Sequence, residues 1–152
     1  MGHGLRERGV EGPLAPGEPA CVTSLVTRRY RCRACSAVLV VVPRGVARAY
    51  RFAVEAIAWA LARWAYERVP AAKVRSQTST AATIGASAAT RWLSLLRWTR
   101  CAGRLFGHRA SGAGTVREQA ARVATFVASH APITTGAVSY DAFFGAAFCQ
   151  PP

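Results

Sequence analysis

The stretch RRYRCRACSAVLVVVP, residues Arg28 to Pro43, places two cysteines between a basic run and an apolar run. Val and Leu favour extended backbone, and proline cannot donate a ladder hydrogen bond, so we expect the apolar run to form a short strand that stops at Pro43. Cys32 and Cys35 have the spacing of a zinc knuckle, which is one half of a tetrahedral site. The stretch therefore predicts a turn carrying two thiols between two strands.

The residues before the knuckle extend this β segment. CVTSLVTRRYRC is rich in Val and Thr, and the charged piece GLRERGV lies near the N-terminus. Between them, EGPLAPGEP at Glu11 to Pro19 has the composition of a turn between two extended pieces. Three short strands around a cysteine knuckle are the outline of a zinc ribbon.

A closed zinc site requires four nitrogen or sulfur ligands, and the knuckle supplies two of them, Cys32 and Cys35. Cys21 and His3 are the other nearby candidates. Cys21 precedes Cys32 on the same extended piece, so it reaches the site only if the chain folds back. A hairpin turning at Glu11 to Pro19 would bring His3 beside the knuckle. These four residues are our candidate ligands for Zn²⁺, and the knuckle pair is the firmer half.

Further along the chain the pattern becomes helical. From Ala47 to Arg68, apolar residues recur every three or four positions, which predicts one long helix with a core-facing stripe. Shorter helices are predicted from Pro70 and over Ala88 to Leu105. A capping box at Thr115 predicts another helix in VREQAARVATFVASH.

These patterns predict an α+β fold in three zones. A small three-stranded zinc-ribbon-like β segment (1–43) precedes a mainly α-helical, helix-turn-helix-like bundle (44–131), and an apolar C-terminal tail (132–152) docks on the bundle. The chain has 152 residues and five cysteines, an odd number, and its N-terminus lacks an apolar secretion signal. We therefore expect a cytoplasmic protein with reduced thiols and no membrane partner.

Arginine dominates the charge of the chain. There are 20 Lys and Arg residues against 7 Asp and Glu, a formal net charge of +13. This balance favours a polyanionic partner because guanidinium groups pair with phosphates, although a GC-rich genome also encodes arginine often. A second helix with arginines on its free face is typical of a helix-turn-helix reader, and a solvated arginine face is the alternative. The candidate contacts with double-stranded DNA are Arg28, Arg29, Arg31, Arg33, Arg91, Arg97, Arg100 and Arg104.

Residues suited to catalysis are scarce. Asp141 is the only aspartate, and the glutamates lie far apart in sequence, which is too little material for a metal-dependent acidic triad. Cys101 and Cys149 have no evident base partner. The segment GASAAT lacks the lysine and the strand of a phosphate-binding loop. We therefore expect the chain not to be an enzyme.

The strings GHGLRERGVEGPLAPGEP and TRRYRCRACSAVLVVVPRGV, followed by PAAKVR and RWLSLLRWTR, resemble a family of short bacterial proteins linked to insertion sequences. Proteins of that family pair a zinc ribbon with helix-turn-helix segments and are described as transposase-like. The resemblance covers Gly2 to about Ala131 and implies a non-catalytic DNA-binding protein related to mobile elements.

In the family pattern a first cysteine knuckle precedes the HGLRER segment, and a glycine follows the second knuckle where this chain has Ser36. We therefore expect either a chain that has lost its first knuckle or a coding sequence that starts upstream of Met1. The alternative function is an assembly module whose aromatic helices and apolar tail bind a transposase subunit or a second copy of the chain.

Overall fold

A computed structural model describes residues 2–43, 46, 51–80, 92–108 and 112–149. Three strands come first, followed by the helices of the described residues. The strands are β1 (Gly2–Gly12), β2 (Cys21–Arg31) and β3 (Val38–Val41); the helices are α1 (Val54–Ala65), α2 (Ala71–Thr78), α3 (Leu93–Arg100), α4 (Ala102–Phe106), α5 (Val116–Ala128) and α6 (Val138–Ala146). This order confirms the α+β prediction. No helix in the described ranges is long and apolar enough to cross a membrane.

The three strands form one antiparallel sheet in the order β1-β2-β3. Gly12 pairs with Cys21 at the turn end of the first hairpin, and Gly2 pairs with Tyr30 at the far end, with one irregularity before Leu5. The short strand β3 pairs only with the last residues of β2. The turn predicted between the two extended pieces is therefore present, and the knuckle forms the next turn of the sheet.

The central helix is shorter than the sequence predicts. It begins at Val54, because the residues just before it form backbone hydrogen bonds with the end of β1 and not the first turn of a helix. The Glu11 N–H donates to the carbonyl of Arg51 (2.8 Å), and the Ala53 N–H donates to the carbonyl of Glu11 (3.0 Å). At the other end the helix stops before Arg68, which has a left-handed φ of 61°. Residues 47–50 of the predicted helix lie outside the described residues.

Helix α1 lies at the centre of the helical body. It contacts α2, α3, α5 and α6, and nearly all of its residues are buried. Many of these residues are alanines, whose small side chains let neighbouring helices approach closely, while Ile57, Leu61 and Trp64 fill the space between them. The predicted core stripe is thus buried, but burial extends around almost the whole helix.

An aromatic cluster connects the start of α1 to α3. The rings of Phe52, Trp92 and Trp98 meet edge to face, with centroids 4.9 to 5.8 Å apart. This is the geometry that aromatic quadrupoles favour. Trp98 is buried at the centre of this cluster, and Phe52 and Trp92 are half-buried beside it.

The helix predicted from Ala88 to Leu105 begins at Leu93 in the described residues and is broken in two, and residues 88–91 lie outside them. Cys101 leaves helical geometry, with φ −95° and ψ 10°, and separates α3 from α4. Gly107 then ends α4 with a left-handed φ of 72°. Gly85, which by sequence is either a turn between two helices or a residue inside one, lies outside the described residues, so the helix-turn-helix arrangement stays a prediction.

The capping box at the start of α5 is present. Thr115 Oγ1 accepts the Glu118 N–H (3.3 Å), and the Glu118 carboxylate accepts the Thr115 N–H (2.7 Å). The C-terminal tail then forms α6, which packs against α1 and α5. Asp141 Oδ1 accepts bonds from the N–H and hydroxyl of Thr135 (2.7 Å each), which stabilises the chain entering α6. The tail therefore belongs to the helical core.

One buried carboxylate joins the sheet to the helical body. Glu11, only 1% exposed, accepts hydrogen bonds at Oε1 from the Ser79 hydroxyl (2.8 Å), the Thr80 hydroxyl (2.9 Å) and the Thr80 N–H. Its Oε2 lies 2.6 Å from Arg51 Nε, an ion pair rather than a well-directed hydrogen bond. We call these contacts the Glu11 clip.

Opposing effects act on the ionisation of Glu11. Burial favours the neutral acid, but the hydrogen bonds from Ser79 and Thr80 and the charge of Arg51 together outweigh it and lower the pKa of Glu11 below its ordinary value. The carboxylate is therefore charged in the folded protein at neutral pH.

Replacing Gly145 by alanine tests the close crossing of α5 and α6. A Cβ at this position would overlap the carbonyl of Val127, so we expect Gly145→Ala to destabilise the protein by about 1–3 kcal/mol, although alanine favours a helix in isolation. Chemical denaturation measures the change. Phe144→Ala, on an exposed side of the same helix, is the control and should cost far less. A Gly145→Ala variant as stable as the parent would refute the crossing.

Candidate nucleic-acid interface and cysteine knuckle

The strand register collects four arginines on one face of the sheet. Residues paired directly across an antiparallel sheet point to the same face, as do alternate residues along a strand. Arg6 pairs with Thr27 and Arg8 with Leu25, so both share a face with the odd-numbered residues of β2. The set Arg6, Arg8, Arg29 and Arg31 is named the basic face. Two of its members are exposed and two are half-buried.

The opposite side of the sheet is mainly apolar and open to solvent. We call it the apolar face; its large side chains are Leu5, Val22, Val26, Tyr30, Leu39 and Val41, each between 36 and 67% exposed. Arg28 lies on this side and pairs across β1 with Leu5 and across β3 with Val41. The alternation of β2 therefore separates Arg28 from Arg29 and Arg31, with which the sequence analysis grouped it.

Sequence reasoning missed two members of the basic face. Arg6 and Arg8 lie in GLRERGV, for which the sequence predicts only a charged extended piece. The signal was present, since both β1 and β2 carry arginines two residues apart, which is the period of a strand. What the sequence could not show is the register that places both pairs on one side.

The helical candidates form a separate basic surface. Arg97 and Arg100 on α3 and Arg104 on α4 are exposed, while Leu95 and Trp98 point into the core. A spacing of three residues places Arg97 and Arg100 on one side of α3, while Arg104 follows the break at Cys101. Arg91 lies outside the described residues.

The knuckle residues adopt a tight turn between β2 and β3. The Cys32 N–H donates to the carbonyl of Ala37 (2.8 Å), and the Ser36 N–H donates to the carbonyl of Cys32 (3.0 Å). Ser36 has a left-handed φ of 59°, so it takes the conformation that a glycine adopts without strain. The departure from glycine noted in the sequence therefore leaves the turn intact. Arg33 is exposed within it.

The two sulfur atoms of the knuckle are not equivalent. Backbone N–H groups of Cys35 and Ala34 and the Cys35 side chain hydrogen-bond to the Cys32 sulfur and lower the pKa of the Cys32 thiol. By contrast, burial raises the pKa of Cys149 to about 11. Both knuckle cysteines are free thiols, and Cys35 is exposed. Because the thiolate is the reactive form of cysteine, the lowered pKa favours reaction at Cys32 over the buried Cys149.

The structure does not bring Cys21 to the knuckle. Cys21 begins β2 and Cys32 follows its last residue, which separates them by about 35 Å of extended strand. The backbone of His3 lies in β1 next to Gly2, whose partner Tyr30 is close to the knuckle. Across the described part of the chain, no three His, Cys, Asp or Glu side chains form a group that could hold a metal. Of the four candidate ligands, the described side chains thus bring together only Cys32 and Cys35.

Comparisons with protein-family models, curated proteins and solved structures find no match to this chain. The resemblance to proteins linked to insertion sequences stays a prediction from the quoted motifs. The features of the structure that bear on function are the basic face, the helical arginines and the knuckle.

Alkylation rates test the inequality of the cysteines. We expect iodoacetamide at neutral pH to modify Cys32 fastest and Cys149 slowest, because the thiolate is the nucleophile. Mass spectrometry of proteolytic fragments measures each rate, and Cys32→Ser identifies the fast phase. Modification of Cys149 in the folded protein as fast as that of Cys32 would contradict the assignment.

Proposed function

We propose that this chain is a non-catalytic protein that binds double-stranded DNA through the basic face of its sheet. The observation that carries the proposal is the register, which places Arg6, Arg8, Arg29 and Arg31 on the same side. The formal charge of +13 provides the long-range attraction to a polyanion.

The dimensions of the first hairpin suit this role. Strands β1 and β2 have 11 residues each and are paired along almost their whole length. The major groove of DNA accommodates a two-stranded β-ribbon, and arginine side chains on its inner face can contact phosphates or the acceptor edge of guanine. The basic face is the side that would approach the duplex.

The helical arginines provide a second contact in this proposal. Arg97, Arg100 and Arg104 are exposed on a short, well-anchored pair of helices, because Trp98 is fully buried beneath them. Such a surface can hold backbone phosphates and fix the orientation of the duplex. The quoted sequence motifs support a relation to mobile elements, as a transposase-like or transposase-accessory protein of the cytoplasm.

A second candidate function, assembly with a transposase subunit or another protein partner, is favoured by a groove beside α6. The groove has a volume of about 380 Å³ and is lined mostly by apolar side chains, including Leu14, Phe144 and Phe148. Glu55 lies in its wall, and burial raises the pKa of that carboxyl. Sedimentation without DNA and in EDTA separates the two functions, since an oligomer that persists under these conditions supports assembly.

Two arginines on opposite sides of β2 test the DNA proposal. We expect Arg31→Ala to weaken duplex binding and to lower the slope of log K against log salt concentration by about 1, as for one lost phosphate contact. Arg28→Ala removes the same charge from the apolar face and should leave the slope unchanged. Fluorescence anisotropy with a labelled duplex over a salt series measures both variants.

The double variant Arg97→Ala with Arg100→Ala tests the helical surface in the same assay, and its slope should fall by about 2. If Arg28→Ala and Arg31→Ala weaken binding equally, binding follows net charge and not the basic face. If no variant changes affinity at low salt, the DNA proposal fails.

A further inference from the structure

We propose that the knuckle is half of an intermolecular zinc site, in which Cys32 and Cys35 from two copies of this chain hold one Zn²⁺ ion. A structural zinc site is tetrahedral and accepts four thiolates, and each knuckle supplies two. The inference rests on the knuckle and not on the basic face, so it is independent of DNA binding.

The conformation of the knuckle suits metal binding. The left-handed Ser36 turns the chain back, and the bond from its N–H to the Cys32 carbonyl closes the turn. N–H groups of Ala34 and Cys35 are directed at the Cys32 sulfur. Donors of this kind orient a metal-bound thiolate and stabilise the charge that it keeps. One chain therefore presents two pre-organised sulfur ligands.

The remaining ligands are not supplied by the other described side chains of the same chain. Cys21 is at the opposite end of β2, and Cys101 and Cys149 belong to the helical body, where both pack at the core. Within the described residues, no third His, Cys, Asp or Glu joins the knuckle pair. A second knuckle is the simplest source of two more thiolates.

The surroundings of the knuckle favour a second copy as that source. Four thiolates around one Zn²⁺ leave a net charge of about −2, and each copy places Arg31 and Arg33 beside its own cysteines to balance it. Arg33 and Cys35 are exposed, so the turn is accessible. Tyr30 and Leu39, paired next to the knuckle on the apolar face, are also exposed and give a second copy apolar surface to cover.

Zinc titration of the full chain without DNA tests the proposal. The protein is kept reduced with a phosphine, in salt of about 0.3 M to screen repulsion between basic chains. We expect one Zn²⁺ per two chains, a doubling of the mass in sedimentation, and reversal of both by EDTA. Cobalt substitution should show the visible bands of tetrahedral four-thiolate coordination.

Variants identify the ligands. Cys35→Ser should abolish zinc-dependent doubling, whereas Cys21→Ser and His3→Ala should behave as the parent. A monomer that binds one zinc per chain and loses it in His3→Ala would overturn the proposal in favour of a site within one chain. Absence of zinc binding, or a dimer that resists EDTA, would also overturn it. None of these outcomes depends on whether the chain binds DNA.

Discussion

The buried carboxylate of Glu11 is the contact on which the arrangement of sheet and helices depends. A charged group at 1% exposure is costly unless its partners replace the water that it loses. Here the partners come from two distant parts of the chain, Arg51 before α1 and the Ser79–Thr80 pair after α2. Because the Glu11 backbone also pairs with Arg51 and Ala53, this one residue fixes the end of β1 against the entrance to the central helix.

This attachment leaves the large side chains of the apolar face and part of the basic face exposed. Within the described residues, the end of β1 near Gly12 lies against the helical body, where a Cβ on Gly12 would overlap Ala56. Further along the hairpin Thr27 is buried on the side of the basic face, whereas Arg31, Arg33 and Cys35 near the knuckle are exposed. A sheet held at one end leaves a basic face for a polyanion, an apolar face, and a thiol-bearing turn, each accessible to a different partner. The proposals for DNA and zinc use different parts of this one element.

Local patterns predicted much of the fold. Val- and Thr-rich runs predicted strands, the Thr115 capping box predicted the start of α5, and the pattern from Ala88 to Leu105 predicted helix where α3 and α4 lie. Each of these patterns involves only a few neighbouring residues and can be recognised from the sequence alone. Contacts between distant segments were not predictable in this way. Phe52 lies within the helix predicted from Ala47, yet its segment pairs with Glu11 at the end of β1. The backbone hydrogen bonds to Glu11 and the ion pair with its carboxylate outweigh the helix propensity of this segment.

In the candidate site, too, local features were predictable from the sequence and contacts between distant segments were not. The spacing of Cys32 and Cys35 was readable directly, and so was their position in a turn. The sequence predicts that the arginines lie on strands, but not which arginines share a face. That depends on the register between the strands. A shift of one residue would exchange the basic and apolar faces. Arg6 and Arg8 were missed and Arg28 was misplaced for this reason, although all three are plain in the sequence.

Stability of Glu11→Gln against pH tests the role of the clip most directly. The pKa of Glu11 is lowered in the folded protein, so its contribution to stability is fully present above the ordinary carboxyl pKa and is lost as the pH falls through the folded value.

We expect the variant to be less stable than the parent by about 3 kcal/mol at neutral pH and the difference to shrink in acid. Glu18→Gln, at an exposed position in the turn after β1, is the matched control. Amide hydrogen exchange of the same samples should be faster at positions 11 and 53 in Glu11→Gln than in the parent, and unchanged in Glu18→Gln. Equal stability and equal exchange in parent and variant would contradict the account.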